Sequence, residues 1–368
     1  MKLKQVQVAV GAAIILVVTP LEAHAWDSDD NCEGPPTRIV KSTDGAVDPP
    51  YNICAAGDIN RRNDIFLTSS VQRALAQSFG FGPNTIEPAG IEGIFAGEAA
   101  QRLSSSPLII APAAAAGTAA SPVWNAWVDG RYLYTDYIKT AGNLDGPTTS
   151  GLAGIDYKLT SKFTAGLLLS ADHTDLRNSV TDHNSRSLGG GAYVGYVLTP
   201  HIVLSANVVG SQIDTSQAAG LLNYDANRLQ ASAAATGYWY FGTGRVTPGL
   251  SFSWSKDWET EKHHLVGDRT AESGVLTSSI QIGKTLKLSD KVSVEPWGGA
   301  ALDWTVINST HISGGGNSGE AGADVRAQLG LNFNFGSSTQ LAITGEAGGL
   351  LNHLSDSYSI EANLAIQF

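Results

Sequence analysis

The chain has 368 residues, 42% of them hydrophobic and 15% charged, with 41 glycines and a formal net charge of −11. The acidic balance and the lack of a basic cluster argue against nucleic-acid binding. After the amino-terminus no run of about 18 or more apolar residues occurs, so no transmembrane helix is expected.

Residues 1–25 read as a secretory signal peptide. Lys2 and Lys4 form a basic start, Val8 to Thr19 is apolar, and Ala23-His24-Ala25 is a small-residue cleavage site. Cleavage after Ala25 removes Lys2, Lys4 and Glu22, a net +1, and leaves −11 − (+1) = −12. Both cysteines, Cys32 and Cys54, follow closely. An exported chain meets oxidising conditions, so a disulfide between them is expected. Closing that loop is worth about 3 kcal/mol in the chain-entropy model. A metal site there would need more ligands at suitable spacing, and none are nearby. No cofactor is expected.

Residues 26–103 read as a short passenger or plug segment, partly helical. Gly34-Pro35-Pro36 and Pro49-Pro50 mark irregular text. Asn63 or Asp64 could cap a helix that carries Phe66, Leu67, Val71, Leu75 and Phe79 and stops at Gly80. Ile91 to Leu103 is a second, weaker helical stretch. Residues 104–123 are rich in Ala, Pro and Ser and read as a tether.

From Trp124 to Phe368 the text alternates with period two, as strands require. Trp124, Ala126, Val128, Gly130, Tyr132 and Tyr134 share one face; Asn125, Asp129 and Arg131 oppose them. Val325, Ala327, Leu329, Leu331, Phe333 and Phe335 face away from Arg326, Gln328, Asn332 and Asn334. The chain ends on Tyr358, Ile360, Ala362, Leu364, Ile366 and Phe368 at every second position. Hydrocarbon on one side and a polar lumen on the other demand this pattern. Tight turns at 160–162, 199–201, 242–244, 289–291 and 336–338 alternate with polar loops at 138–147, 177–185, 216–224, 256–270 and 308–318. The last connection, at 354–356, is short where a long loop is due. The fold class is therefore all-β: an antiparallel transmembrane barrel of about twelve strands with a short, partly helical amino-terminal segment.

The ordered set of features at 124–368 resembles the autotransporter family, the type V secretion proteins. It comprises Trp124-Asn-Ala-Trp127 after a linker, the Gly-rich strands at 151–158 and 189–196, Val294-Glu-Pro-Trp297, and the final Ala365-Ile-Gln-Phe368. The resemblance implies a monomeric barrel in the outer membrane of a Gram-negative bacterium. Its implied partners are the lipid bilayer, the outer-membrane assembly machinery and periplasmic chaperones. It also implies that Phe368, Ile366 and Leu364 form an assembly signal, and that the barrel exports or displays the segment before it, at the cell surface or in the lumen. The departure is that segment: it is short and without repeats.

Asp129, Arg131, Asp156, Lys158, Arg228, Glu295, Asp303, Arg326 and Glu346 fall on the polar face and would point into the lumen. Mixed charge there can hold a plug helix, set ion selectivity, or merely brace the wall. A helix from 64–103 held by Arg131 and Arg326 would make the protein a plugged, porin-like channel, the alternative to display. A third reading is an outer-membrane hydrolase. His183-Asn184-Ser185 has a nucleophile beside a base, but such residues are routine in polar loops, and no third member is identifiable. Asp172-His-Thr-Asp175 and His263-His264 are weaker still, so no catalytic or metal residue is assigned.

Overall fold

The computed structural model describes residues 53–81, 124–137, 144–177, 182–217, 222–262, 268–312, 317–318, 322–336, 338–351 and 355–368. The signal peptide, Cys32, the side chain of Cys54, the helical candidate at 91–103, the linker and His263-His264 lie outside them.

One helix, α1 (Ile53–Ser78), precedes the sheet. The first strands are β1 (Trp124–Tyr137), β2 (Leu144–Lys158), β3 (Phe163–Arg177), β4 (Asp182–Thr199), β5 (Ile202–Gln217) and β6 (Leu222–Gly237). Then come β7 (Trp239–Phe241), β8 (Gly244–Glu261), β9 (Arg269–Lys284), β10 (Leu286–Ser289) and β11 (Val292–Ile312). The last are β12 (Asn317–Ser318), β13 (Ala323–Phe335), β14 (Thr339–Gly348) and β15 (Asp356–Gln367). β7, β10 and β12 are short extensions. The other twelve form a closed antiparallel barrel, because β1 pairs with β2 on one side and with β15 on the other. At the seam, Trp124 N donates to Phe368 O at 3.1 Å, and Phe368 N returns a bond to Trp124 O at 3.0 Å.

Alternation becomes burial here. Along β1, Asn125, Trp127, Asp129, Arg131 and Leu133 are buried, while Trp124, Val128, Tyr132 and Tyr134 are exposed. Leu329 on β13 is 72% exposed and Leu167 on β3 is 65% exposed. A soluble sheet would hide such residues, and a lipid-facing belt presents them. Inside, large rings lie over glycines. An added Cβ at Gly154 would sit 2.5 Å from the Trp127 ring, and one at Gly166 would sit 2.4 Å from Tyr193.

The tight turns share one rim with Trp124 and Phe368. Gly242 and Gly336 there have φ of +63° and +66°, a conformation that glycine adopts without a Cβ penalty. Call this the turn rim and the opposite one the loop rim. At the loop rim the strands run further than expected. β4 already starts at Asp182, β8 continues to Glu261 and β11 to Ile312, so much of the text expected to form loops is ladder. There polar residues stand on both faces, so the residue-type pattern fades while the backbone pairing persists.

Helix α1 begins ten residues before the expected cap (63 − 53 = 10). Asn63 and Asp64 look like cap residues, yet both are buried mid-helix. Barrel side chains take up their polar atoms, and tertiary contacts override the local signal. The carboxyl end follows expectation. Gly80 (φ +79°) donates to Gln77 O at 2.9 Å, and Phe81 N to Ala76 O at 2.7 Å. This is a Schellman cap. At about 1.5 Å per residue the helix is roughly 39 Å long, enough to run the height of the wall.

Candidate functional site: the helix within the barrel

α1 makes its closest approaches to β1, β2, β5, β6, β8, β9 and β15, so it lies in the interior. Leu67, Val71, Leu75 and Phe79 recur every fourth residue and make one stripe. They are buried against Leu152, Leu168, Val197, Val203 and Val209 near the turn rim. Burying each side chain of this size stabilises by about 1.5–3 kcal/mol. Gly195 on β4 permits the contact: a Cβ there would stand 2.6 Å from Leu75 Cδ2 and 2.9 Å from Phe79 Cε2. Phe81 stacks on Tyr238 with centroids 4.7 Å apart, and Tyr240 Oη donates to Phe81 O at 2.9 Å.

Polar groups fix the other side. Arg131 Nη1 donates to Arg62 O at 2.8 Å, Nη2 donates to Asn63 Oδ1, and the guanidinium carbon lies 4.5 Å above the Phe66 ring. Arg73 pairs with Asp129 at 2.7 Å and with Glu361. Gln230 Nε2 donates to Asp64 Oδ1. Arg61 reaches Thr305 at 3.2 Å, and Arg62 reaches Ser355 at 3.3 Å and Ser357. Gln77 Nε2 donates to Ala365 O at 3.1 Å. The helix has a polarity: Arg61 and Arg62 approach the loop rim, while Phe79 and Phe81 lie at the turn rim.

Of the expected lumen residues, Asp129, Arg131, Asp156, Arg228, Glu295, Asp303 and Arg326 are buried; Lys158 and Glu346 are half-buried. Asp129 and Arg131 bind the helix directly. Asp156 accepts from Asn125 (2.9 Å) and from Tyr193 (2.8 Å), whose oxygen accepts from Trp127 Nε1 at 2.7 Å. Arg228 grips Asp257 with two bonds of 2.6 and 2.7 Å, and Arg245 pairs with Glu295. Arg326 binds Asp303 and Glu346 and so ties β11, β13 and β14 together. The expectation that it holds the helix gives way to a bracing role within the wall. Leu364, Ile366 and Phe368 are exposed on the outer face.

Arg73 and Gly195 carry no signal in the sequence, and Asn63 carries the signal of a cap instead of a bond to Arg131. A basic residue on a helical stripe is normally a solvated one, and a strand glycine reads as relief of crowding. Only the helix position gives them meaning.

His183-Asn184-Ser185 lies within β4 and not in a loop. His183 Nδ1 meets Gln217 Nε2 at 2.7 Å, and no hydrogen bond joins it to Ser185 among the described residues. In Asp172-His-Thr-Asp175, Asp172 accepts from Ser187 at 2.8 Å, and Asp175 pairs with Arg177. Just beyond β8, Lys262 donates to Asp225 (2.7 Å) and Asp214 (3.1 Å). These bonds, Asp225 first, hold its ammonium above the usual lysine range.

No protein-family model matches the chain, and no curated protein matches its sequence. Solved structures do match. The translocator domain of the autotransporter NalP from Neisseria meningitidis aligns at 14% identity with a TM-score of 0.54, over 68% of this chain and 90% of that one. The beta domain of the Bordetella autotransporter Brka aligns at 16% identity with a TM-score of 0.52, over 67% of this chain and all of that one (100%). At these identities the likeness is one of fold: an outer-membrane β-barrel.

Proposed function

We propose that the protein is a translocator-type barrel of the outer membrane that carries its own amino-terminal segment across and displays the part ahead of α1 at the cell surface. The polarity of the helix carries this reading. Its amino-terminal end opens at the loop rim, and its carboxyl end stops at the turn rim, where β1 begins. In outer-membrane barrels short turns face the periplasm and long loops face outward. Residues 26–52 then emerge outside. The fold shared with autotransporter translocator domains supports the same reading. The family's assembly route fits the exposed Leu364, Ile366 and Phe368 on the closing strand.

The test is Lys41→Cys in a chain with Cys32 and Cys54 replaced by serine. A membrane-impermeant maleimide should label it on intact cells. Labelling only after the outer membrane is permeabilised would sink the proposal. The seated helix also fits a channel closed by its own segment. An unlabelled Lys41→Cys together with conductance that rises on deleting residues 26–123 would favour that second reading.

A further inference from the structure

The polar bonds of α1 are not spread evenly round the wall. β1 and β15 lie at opposite ends of the sheet in sequence, so no hairpin joins them. Their ladder, from Asn125↔Gln367 to Asp136↔Asp356, closes the barrel. The helix takes hold of both strands along this seam. At the turn rim Asn125 Nδ2 donates to Ala74 O at 3.4 Å, and the residue opposite it, Gln367, donates to Gln77 O. One step up, Gln77 Nε2 donates to Ala365 O at 3.1 Å. In the middle the Arg73 guanidinium bridges the seam, pairing with Asp129 on β1 and with Glu361 on β15. Asn363, opposite Asp129, donates to the same carboxylate at 3.2 Å. Toward the loop rim Arg131 on β1 donates to Arg62 O and to Asn63, and Arg62 itself donates to Ser357 on β15. Elsewhere such contacts are scattered, as at Thr164 on β3, Gln230 on β6 and Thr305 on β11.

We propose that α1 is a clasp for the seam. It holds β1 and β15 together from inside, and the side wall is locked only while the helix is seated. Parting the two strands with the helix in place breaks the ladder and also takes one of two carboxylates from Arg73. Each buried polar group left without its partner adds to that cost. With the helix withdrawn, the ladder alone resists opening, and a parted seam offers two bare edges to any extended chain nearby. The clasp works by directed bonds, since the apolar stripe leans chiefly on β2 to β5. The inference does not rest on display. The helix grips the same strands whichever compartment residues 26–52 occupy, so failure of the labelling test and failure of this one are separate results.

The experiment follows backbone amide exchange in the full mature chain in bilayers, read on peptides from β1, β15 and β6. Arg73→Met with Gln77→Ala removes two side-chain grips on the seam and leaves the apolar stripe intact. The expected result is exchange about fivefold or more faster in β1 and β15, the factor that the loss of one hydrogen bond brings to local opening. Exchange in β6 should not change. Gln230→Ala removes a grip away from the seam and should leave β1 and β15 at the parent rate. Heat-modifiability on gels checks that each variant is folded; if the double variant is not, Arg73→Met alone replaces it. The proposal is overturned if β1 and β15 keep the parent rate in the folded variant, if β6 speeds up as much as they do, or if Gln230→Ala has the same effect on them.

Discussion

Near the turn rim, β2 to β5 offer the helix Leu152, Leu168, Val197, Val203 and Val209; across the barrel, β11 to β14 offer Glu295, Asp303, Arg326, Asn332 and Glu346. The apolar wall holds α1 by area removed from water, a force without direction. The polar wall spends its bonds largely on itself, strand to strand. Between these two, Arg131, Arg73 and Gln230 set the helix at one height and one rotation, because hydrogen bonds demand geometry. Burial thus decides where the helix leans, and a few directed bonds decide how it stands.

The largest expected effect strikes the polar wall. Arg326→Ala leaves Asp303 buried without its cation and should cost about 3–5 kcal/mol of barrel stability, read by urea unfolding in bilayers. If the loss is under about 1 kcal/mol, the wall is wetter than its burial implies. Next, Leu331→Arg puts a charge in the lipid belt and should cost about 2–4 kcal/mol, while Gln328→Arg on the inner face should cost far less. Equal costs would void the assignment of faces. A smaller change probes the greasy wall. Gly195→Val should push on Leu75 and Phe79 for about 1–3 kcal/mol of overpacking and loosen the helix while the barrel persists. A Ser78→Cys, Thr164→Cys disulfide, placed where the two hydroxyls lie 3.4 Å apart, should form readily in the parent and poorly with Gly195→Val. The last is Arg73→Ala, at about 1 kcal/mol or somewhat more by the same urea unfolding: Arg73 is partly exposed and screened, but its partner Asp129 is buried and keeps Asn363 as a donor.

Much of the barrel was legible because lipid imposes a strict rule on every second residue. The Ile360–Phe368 alternation could be read without any contact information. The loop-rim extensions were not legible, since in Lys256–Glu261 residue type does not alternate: a charged Asp257 is the buried one and an aromatic Trp258 the exposed one. The start of the helix was hidden for another reason. Asn63 and Asp64 carry a local signal for a cap, and only Arg131 and Gln230, some 68 and 166 positions away, cancel it. The lumen charges were visible as residue types, but their pairing was not: nothing in the text says that Arg326 chooses Asp303 over the helix.

The reciprocal bonds between Trp124 and Phe368 join positions 244 apart (368 − 124). Contacts of such long range form late, because a large loop must close first. Until the final residue is in place, β1 and β15 are both bare edges, templates for pairing with any other extended chain. The helix adds a topological condition. The chain continues beyond both of its ends, so it cannot slip sideways through a wall already closed. Either the seam zips shut around it, or it is drawn through lengthwise afterwards.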